Sequence, residues 1–233
     1  MELPSGRKYD GSDLALVRMM AEYGMIQWSN DPFKLNSGIY SNVYVFGRED
    51  LTDHPDFEWK VGLKSGRLVQ RHSLPSDNQP CLIGIPTAGT AIANAAALVS
   101  HRNNILINGH EICHRVMRET LKRKHGVHPK WVNGNSDPNR HTYWSVDNVV
   151  TNADSKFTAN ERLQESGYPV EDMPSFVYVD RQQGGIQRME KAGIKRIVIA
   201  YYLLDLTYAF GELRLWPKDT IKAVEDEIAA HQF

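Results

Sequence analysis

Two histidines and a glutamate have the residue types and the spacing of a catalytic metal site. The segment HEICH, with His110, Glu111 and His114, has the spacing of a zinc peptidase motif. On a helix, this spacing places both imidazoles on one face to bind zinc, with the glutamate beside them as a general base. The pattern is short and common by chance, so it has to be weighed against the rest of the chain.

A second group lies in the segment VDNVVTNADS at 146–155, where polar residues end a run typical of a strand. Asp147, Asn148 and Thr151 supply an acid, an amide and a hydroxyl, which can hold the hydroxyls of a sugar. The N–H groups of the following turn can hold a phosphate. A helix that is simply well capped is the alternative explanation of the same residues.

Two further segments combine glycines with a strand end. In 84–93, Gly84 and Gly89 allow the backbone to approach a ligand, although such small residues more often let a helix pack on a strand. In 179–185, Arg181 ends a strand before a Gly-Gly turn. A surface ion pair next to a loop is the alternative there.

The elements that must position these residues alternate between strands and helices. A helix is predicted at 12–25, with Ser12 as its N-cap, and a strand pair or bent strand at 38–47. Alternation predicts a parallel sheet covered by helices, which binds ligands at the carboxyl ends of its strands. The strands of this sheet are predicted at 81–86, 141–150, 175–181 and 195–205, and its helices at 87–101, 156–167 and 184–193.

Three segments lie outside this alternation. The polar segment 46–80 is longer than expected between two strands, and no function is assigned to it. The polar loop 124–141 has the length of a functional lid. After Pro217, the residues Ile221, Val224 and Ile228 form one stripe of a final amphipathic helix, which is predicted to serve packing.

Composition narrows the classes of function. The 233 residues carry a formal net charge of -1, which argues against a nucleic-acid partner and favours small-molecule chemistry. Cys81 and Cys113 are too few for a disulfide framework. The first residues lack the apolar core of a signal peptide, and no apolar run is long enough to span a membrane. We therefore expect a cytoplasmic protein without a membrane partner.

Four segments resemble the orotate phosphoribosyltransferase family in the same order and spacing, from about residue 12 to 206. DPFKLNSGIYSNVYV at 31–45 looks like the base-site signature of this family. GIPTAGTAIA is similar to its pyrophosphate-side loop, and VDNVVTNADS occupies the place of its phosphoribosyl-pyrophosphate (PRPP) motif. YVDRQQGG at 178–185 resembles its segment of aspartate, arginine, two residues that are glutamine or glutamate, and glycine.

The resemblance implies a fold and a reaction. The fold is α/β, a type I phosphoribosyltransferase-like domain over 1–233, with an N-terminal hood at 1–46, a core at 81–206 and a flexible lid at 116–141. The reaction joins orotate to PRPP with Mg²⁺, giving orotidine 5'-monophosphate and pyrophosphate. A homodimer is implied because the lid of this family serves the neighbouring subunit's site. The resemblance names no protein ligand for the metal.

The resemblance also implies site residues. In the lid, VMRETLKRKHG at 116–126 fits the family at both ends but holds about two extra residues. The candidates there also include Arg123 and Lys124, and Lys122 is the favoured catalytic lysine. Arg181 matches the arginine that contacts orotate, where a planar bidentate donor suits an anion. The implied catalytic set is Arg118, Lys122, His125 and Asp147, and the implied substrate-binding set is Asn36, Thr87, Ala88, Gly89, Asn148, Thr151, Asn152, Ala153, Asp154, Ser155 and Arg181.

Three residues depart from the family pattern. Asn148 replaces an acid, Ala153 replaces a glycine, and Asp154 replaces a small hydroxyl residue. A carboxylate beside a phosphate is repulsive unless Lys156 or an altered loop offsets it. Asp154 is also a natural helix N-cap, in which case it occupies the anion site itself.

These departures leave two hypotheses. The first is a working phosphoribosyltransferase for orotate or a related base. The second is a binding or regulatory protein of the same fold, or an enzyme on a ligand that lacks the 5'-phosphate.

The alignment with the family also predicts where the histidines lie. It places HEICH before the lid on an extended segment, where residues i and i+4 lie about 13 Å apart and cannot share a zinc ion. The glycine and histidine of the metzincin pattern are also missing after His114. A zinc peptidase is therefore disfavoured, and a position near a rim or a subunit contact is expected for Glu111 and the histidines.

Overall fold

The computed structural model describes residues 3–35, 37–45, 47, 49–121 and 130–233. Its helices and strands alternate through most of the chain. The helices are α1 (Gly11–Glu22), α2 (Glu49–Thr52), α3 (Pro55–His72), α4 (Ala88–Arg102), α5 (Asp154–Glu165), α6 (Gly185–Lys191), α7 (Leu203–Glu212) and α8 (Lys218–Ala230). The strands are β1 (Ile26–Lys34), β2 (Tyr40–Val45), β3 (Gln79–Gly84), β4 (Cys113–Val116), β5 (His141–Val150), β6 (Ser175–Asp180) and β7 (Ile197–Tyr202).

A five-stranded sheet with the order β4-β3-β5-β6-β7 forms the centre of the fold. All its neighbouring strands are parallel, as the alternation of strands and helices predicted. Every residue of β6 is buried, which is typical of a strand covered by helices on both faces. The predicted α/β class with a parallel sheet flanked by helices is confirmed.

The order of the strands creates one point where the chain changes direction. The connection that leaves β3 through α4 reaches β4 on one side, whereas the connection that leaves β5 through α5 reaches β6 on the other side. A crevice opens outside the carboxyl ends of two such strands because their helices diverge. The segments after β3 and β5 therefore meet at this crevice.

Small residues let the helices approach the sheet closely. A Cβ atom on Gly89 would lie 2.3 Å from the carbonyl oxygen of Val146 in β5, so only glycine permits the observed contact of α4 with this strand. On the outer side, a Cβ atom on Gly62 of α3 would lie 2.7 Å from the carbonyl oxygen of Ala95 in α4. The two helices thus pack as a close pair, with α4 against β3 and β5 and α3 against α4 and β7.

The N-terminal part forms a separate antiparallel pair of strands. β1 pairs with β2, with a break in register between Trp28 and Phe33. This confirms a strand over most of 38–47, although its partner β1 was not predicted. The helix at 12–25 is present as α1, but its N-cap is Asp10, whose side chain accepts a hydrogen bond from the Asp13 N–H at 2.8 Å. The prediction of Ser12 as N-cap was wrong by two residues.

Two segments of the chain were predicted incorrectly. The segment 46–80 contains α2 and α3, whose apolar stripe includes Phe57, Val61 and Leu68. Because the outer face of α3 is rich in charged residues, the segment has a polar average composition, and its apolar stripe was not recognised. The strand predicted at 195–205 ends at Tyr202, and the helix α7 begins at Leu203. A continuous apolar run fits a strand or a buried helix equally well, so periodicity does not locate this boundary.

The final helix is present as α8, which buries Val224 and Ile228. In the part of the chain that the structure describes, no helix combines the length and apolar character needed to cross a membrane.

Candidate active site

Two adjoining cavities form a cleft at the carboxyl ends of β3, β5 and β6. Their volumes are about 140 Å³ and about 320 Å³. Tyr44, Val45, Val149 and Ser155 line both cavities, so the two form one continuous cleft. The cleft lies at the point where the connections of β3 and β5 diverge, which is where ligands bind in open α/β sheets. A separate cavity of about 370 Å³ at the amino ends of the strands contains none of the predicted site residues.

Most of the predicted site residues line this cleft. The smaller cavity, which we call the loop cavity, is lined by Arg181 together with the loop at 151–155. The larger cavity, which we call the strand-end cavity, is lined by Asp147 and Asn148 on one side and by Thr87 and Ala88 on the other. The arrangement therefore places the turn after Val150 and the Arg181 guanidinium on the same cavity.

Two predicted residues lie outside the cleft walls, and five lie outside the described residues. Gly89 is buried in the first turn of α4, where it permits packing on β5. This is the packing alternative considered for the glycine-containing turn. Arg118 follows β4 and donates its backbone N–H to the carbonyl of Trp131 at 2.8 Å. The residues outside the described ranges are Asn36, Lys122, Arg123, Lys124 and His125, and their predicted roles stay predictions.

The loop at 151–155 ends in the N-terminus of α5. Ala153 is the N-cap residue and has the left-handed conformation, with φ of 66°. Asp154 is the first residue of the helix, and its carboxylate accepts a hydrogen bond from the Asn152 amide at 2.7 Å. The prediction of Asp154 as N-cap was therefore wrong. An N-cap residue precedes the first helical residue, whereas Asp154 is itself the first residue of α5. Its carboxylate does not occupy the anion site that the first turn of α5 offers.

An arginine offsets the charge of Asp154. The Arg188 guanidinium in α6 lies 3.0 Å from the Asp154 carboxylate and also donates to the carbonyl of Asn152. The predicted alternative was Lys156, but this side chain is buried, with 1% of the residue exposed. Its ammonium donates to the carbonyl of Phe176 over 3.5 Å. The neighbouring element α6, and not the next residues of the loop, thus supplies the counter-charge.

Asp147 and Lys156 form a buried charged region beneath the loop. Asp147 is 5% exposed and accepts a hydrogen bond from the Asn148 N–H at 2.9 Å. Burial raises the pKa of Asp147, while the Lys156 ammonium and the Ser155 hydroxyl act in the opposite direction. Burial lowers the pKa of Lys156 to about 8, against the effect of Asp147. The cleft therefore has a desolvated carboxylate with a desolvated amine behind it.

Arg181 is buried and held by protein acceptors. Its guanidinium donates to the side chain of Gln183 at 2.9 Å and to the carbonyl of Val43 at 2.9 Å. It also donates to the Ser41 hydroxyl at 2.7 Å and to the Glu227 carboxylate at 3.0 Å. The predicted bidentate contact with a flat anion is not open to it in this arrangement, because both terminal nitrogens already donate to the protein.

The histidine motif does not form a metal site. His114 lies in β4, and His110 forms an isolated bridge with Ile107, so the segment is extended as predicted. Glu111 instead pairs with His101 at 2.9 Å on the surface. Among the described residues, no group of three or more potential ligands is arranged to hold a metal ion.

Sequence reasoning missed three residues of the cleft and its surroundings. Tyr44 lines both cavities, Arg188 pairs with the loop, and Glu227 pairs with Arg181. Tyr44 could have been found from the alternation of β2, because Val43 and Val45 on either side of it point into the core. Glu227 stands next to the apolar stripe of α8, which was the available signal. No pattern in the sequence of α6 marks Arg188.

Comparisons with known proteins agree with the predicted family. No family model matches the chain. The orotate phosphoribosyltransferase of Nostoc sp. is 29% identical over 188 residues, which are 81% of this chain and 83% of that protein. The orotate phosphoribosyltransferase of Aquifex aeolicus is 28% identical over 179 residues, which are 77% of this chain and 89% of that protein.

A solved structure agrees with the fold. The structure of Leishmania donovani UMP synthase matches with a TM-score of 0.74 and 19% identity. The match covers 94% of this chain and 43% of that one, so this chain spans less than half of the synthase. The predicted resemblance and the type I phosphoribosyltransferase fold are confirmed.

Proposed function

We propose that this protein is an orotate phosphoribosyltransferase, which transfers ribose 5-phosphate from PRPP to orotate and releases pyrophosphate. The observation that carries the proposal is that the loop at 151–155 and Arg181 line one cavity at the divergence of β3 and β5. Two similar proteins with this activity in their names support it. The product, orotidine 5'-monophosphate, belongs to pyrimidine nucleotide biosynthesis.

The two cavities suggest where each part of the substrates binds. The 5'-phosphate fits the N-terminal turn of α5, where N–H groups and the helix dipole favour an anion. The ribose fits beside Asp147 and Asn148 in the strand-end cavity, with the pyrophosphate beside Thr87 and Ala88. The base then lies in the loop cavity against Tyr44 and Arg181.

The chemistry asks the protein to stabilise separated charge. As pyrophosphate leaves, the ribose gains positive charge, which the Asp147 carboxylate can stabilise from the wall of the strand-end cavity. Ser155 and the backbone of Asn148 hold this carboxylate through hydrogen bonds. Asn148 adds hydrogen bonding but no charge, so we expect it to affect rate more than binding.

The residues of the cleft fit a magnesium ion that arrives with its substrate. Mg²⁺ is commonly held by one or two carboxylates and by substrate phosphates rather than by an all-protein cage. The strand-end cavity offers the carboxylates of Asp147 and Glu49 at its edges. When bound, the ion supplies positive charge to the leaving pyrophosphate.

A homodimer in the cytoplasm is part of the proposal. Lys122 and His125 of the lid are proposed to complete the site of the neighbouring subunit, as the family resemblance implies. Arg118 lies at the start of this segment, outside the cleft of its own chain. Sedimentation of the purified protein tests the dimer.

An assay with orotate, PRPP and Mg²⁺ tests the reaction through the loss of orotate absorbance. We expect turnover, and a matched Asp147→Asn variant should bind PRPP but turn over more slowly. PRPP binding without turnover in the unmodified protein would favour a binding protein of the same fold. Absence of PRPP binding would favour a ligand that lacks the 5'-phosphate. The names of the similar proteins do not favour either of these alternatives.

A further inference from the structure

A carboxylate neutralises Arg181, the one arginine among the described residues on the wall of the loop cavity. The Arg181 guanidinium lies 3.0 Å from the Glu227 carboxylate, and their side chains are only 2% and 11% exposed. Glu227 belongs to α8, which does not line the cavity, so the carboxylate lies behind the arginine as seen from the cavity. The wall thus presents an ion pair with no net charge.

The same carboxylate connects the arginine to the N-terminal strands. It accepts a hydrogen bond from the Ser41 hydroxyl at 2.5 Å and from the Asn42 N–H at 3.0 Å. The Ser41 hydroxyl in turn accepts from Arg181 at 2.7 Å. Glu227 is therefore fixed by three donors and keeps its position relative to Arg181.

Few donors of Arg181 remain for a ligand. A guanidinium has five N–H groups, and the contacts with Gln183, Val43, Ser41 and Glu227 use four of them. One N–H on the nitrogen that contacts Val43 is left. A single donor cannot form the paired hydrogen bonds by which a free arginine selects a carboxylate.

We propose that Glu227 is a positioning residue for Arg181 and makes the base site tolerant of uncharged pyrimidine rings. This inference rests on the proposed function, because it concerns the base of the same reaction. A free guanidinium favours a base with a carboxylate over the same ring without one. The paired guanidinium gives up most of that advantage, since its charge is balanced and its donors are in use. The substrate class is therefore pyrimidine rings with or without the carboxylate.

Nucleotide binding tests the inference directly. The affinities of orotidine 5'-monophosphate and uridine 5'-monophosphate are measured by titration calorimetry. These two products differ only in the carboxylate of the base. We expect the unmodified protein to bind them within about tenfold of each other. In Glu227→Gln, which keeps the size but removes the charge, the preference for the carboxylated nucleotide should rise by about tenfold or more.

Asp226→Asn is the matched control. It removes the same charge from the neighbouring position of α8, where Asp226 is exposed and pairs with Lys222. We expect the ratio of the two affinities to stay at its original value. The ratio is a readout that general damage does not move, because a disturbed site weakens both nucleotides alike.

The possible outcomes separate this inference from the proposed function. An unchanged ratio in Glu227→Gln overturns the inference, and the function stands if the unmodified protein still produces orotidine 5'-monophosphate. If this variant does not fold, the unmodified protein decides: a preference above about 100-fold for the carboxylated nucleotide overturns the inference, and a preference within about tenfold supports it. No binding of either nucleotide overturns both proposals.

Discussion

Two arginine–carboxylate pairs border the loop cavity, and they differ in burial rather than in geometry. Arg188 and Asp154 lie 3.0 Å apart with side chains that are 36% and 63% exposed. Arg181 and Glu227 lie 3.0 Å apart with side chains that are 2% and 11% exposed. Water screens the first pair and not the second, so equal distances correspond to unequal energies.

The difference suggests different purposes for the two pairs. The exposed pair belongs to the loop that would meet a phosphate, and it can rearrange at little cost. The buried pair joins three parts of the chain that are distant in sequence, and it has no such freedom. The end of the cleft where we propose that the phosphate binds is therefore adjustable, whereas the end proposed for the base is fixed by the fold.

Removing the buried carboxylate should have the largest effect on stability. Glu227→Ala leaves the Arg181 charge buried without a counter-ion, which typically costs about 3 kcal/mol or more. Urea unfolding followed by circular dichroism measures the loss. Asp226→Ala on the same helix is the control and should change the free energy of unfolding by less than about 0.5 kcal/mol. Equal losses in both variants would contradict the contrast between the two pairs.

Lys156 is a buried cation that can be compared with the buried pair of Arg181 and Glu227. Lys156 forms no ion pair with any described residue, and burial lowers its pKa to about 8 from 10.5. Between these two values, the unfolded chain binds the proton and the folded protein releases it. The unfolded state then holds more protons, so the free energy of unfolding should rise as pH increases from about 8 to 10.5.

The variant Lys156→Met should lose this rise. It replaces the ammonium by an apolar side chain of similar length, which suits a buried position. The measurement is the difference in unfolding free energy between the variant and the unmodified protein at several pH values. Lys191→Met, at an exposed position of α6, is the control and should leave the pH dependence unchanged. A difference that does not vary with pH would contradict the lowered pKa.

Breaking the exposed pair should affect ligand binding more than stability. Arg188→Ala should change the free energy of unfolding by at most about 1 kcal/mol, because exposed pairs contribute little. It leaves the Asp154 carboxylate without its counter-charge next to the phosphate position, so PRPP should bind several-fold more weakly. Titration calorimetry measures this change, with Lys191→Ala on the same helix as the control. A large loss of stability with unchanged PRPP binding would contradict the assignment.

Replacing the exposed carboxylate should have the smallest effect and the opposite sign. Asp154→Thr removes the repulsion and restores a hydroxyl, so PRPP should bind somewhat more tightly, and more clearly at low ionic strength. In the double variant with Arg188→Ala, the penalty of the arginine change should largely disappear. Unchanged affinity in Asp154→Thr would count against the charge argument.

The sequence predicted which residues line the cleft better than it predicted the ion-pair partners of those residues. Strand ends are visible in the apolar runs before Asp147 and Arg181, and parallel strands bring their carboxyl ends to one edge of the sheet. This is why the loop at 151–155 and Arg181 were correctly placed together. Their partners Arg188 and Glu227 come from other elements, and a side chain's partner depends on packing that no local pattern records.

The helix α3 is a second case in which a local sequence pattern does not record packing. Its polar outer face made 46–80 look irregular, whereas its contact with α4 depends on Gly62, a residue without a side chain. The predicted lid residues Lys122 and His125 lie outside the described residues.

The contacts of Arg181 also constrain how this protein is made. Ser41 lies 140 residues from this arginine and Glu227 lies 46 residues from it. A chain that grows from its N-terminus on the ribosome acquires the arginine long before the carboxylate. Until residue 227 has emerged, the segment after β6 cannot bury the Arg181 cation at low cost. Formation of this wall of the loop cavity is thus tied to the synthesis of α8, and a chain released before α8 is made would lack a stable wall there.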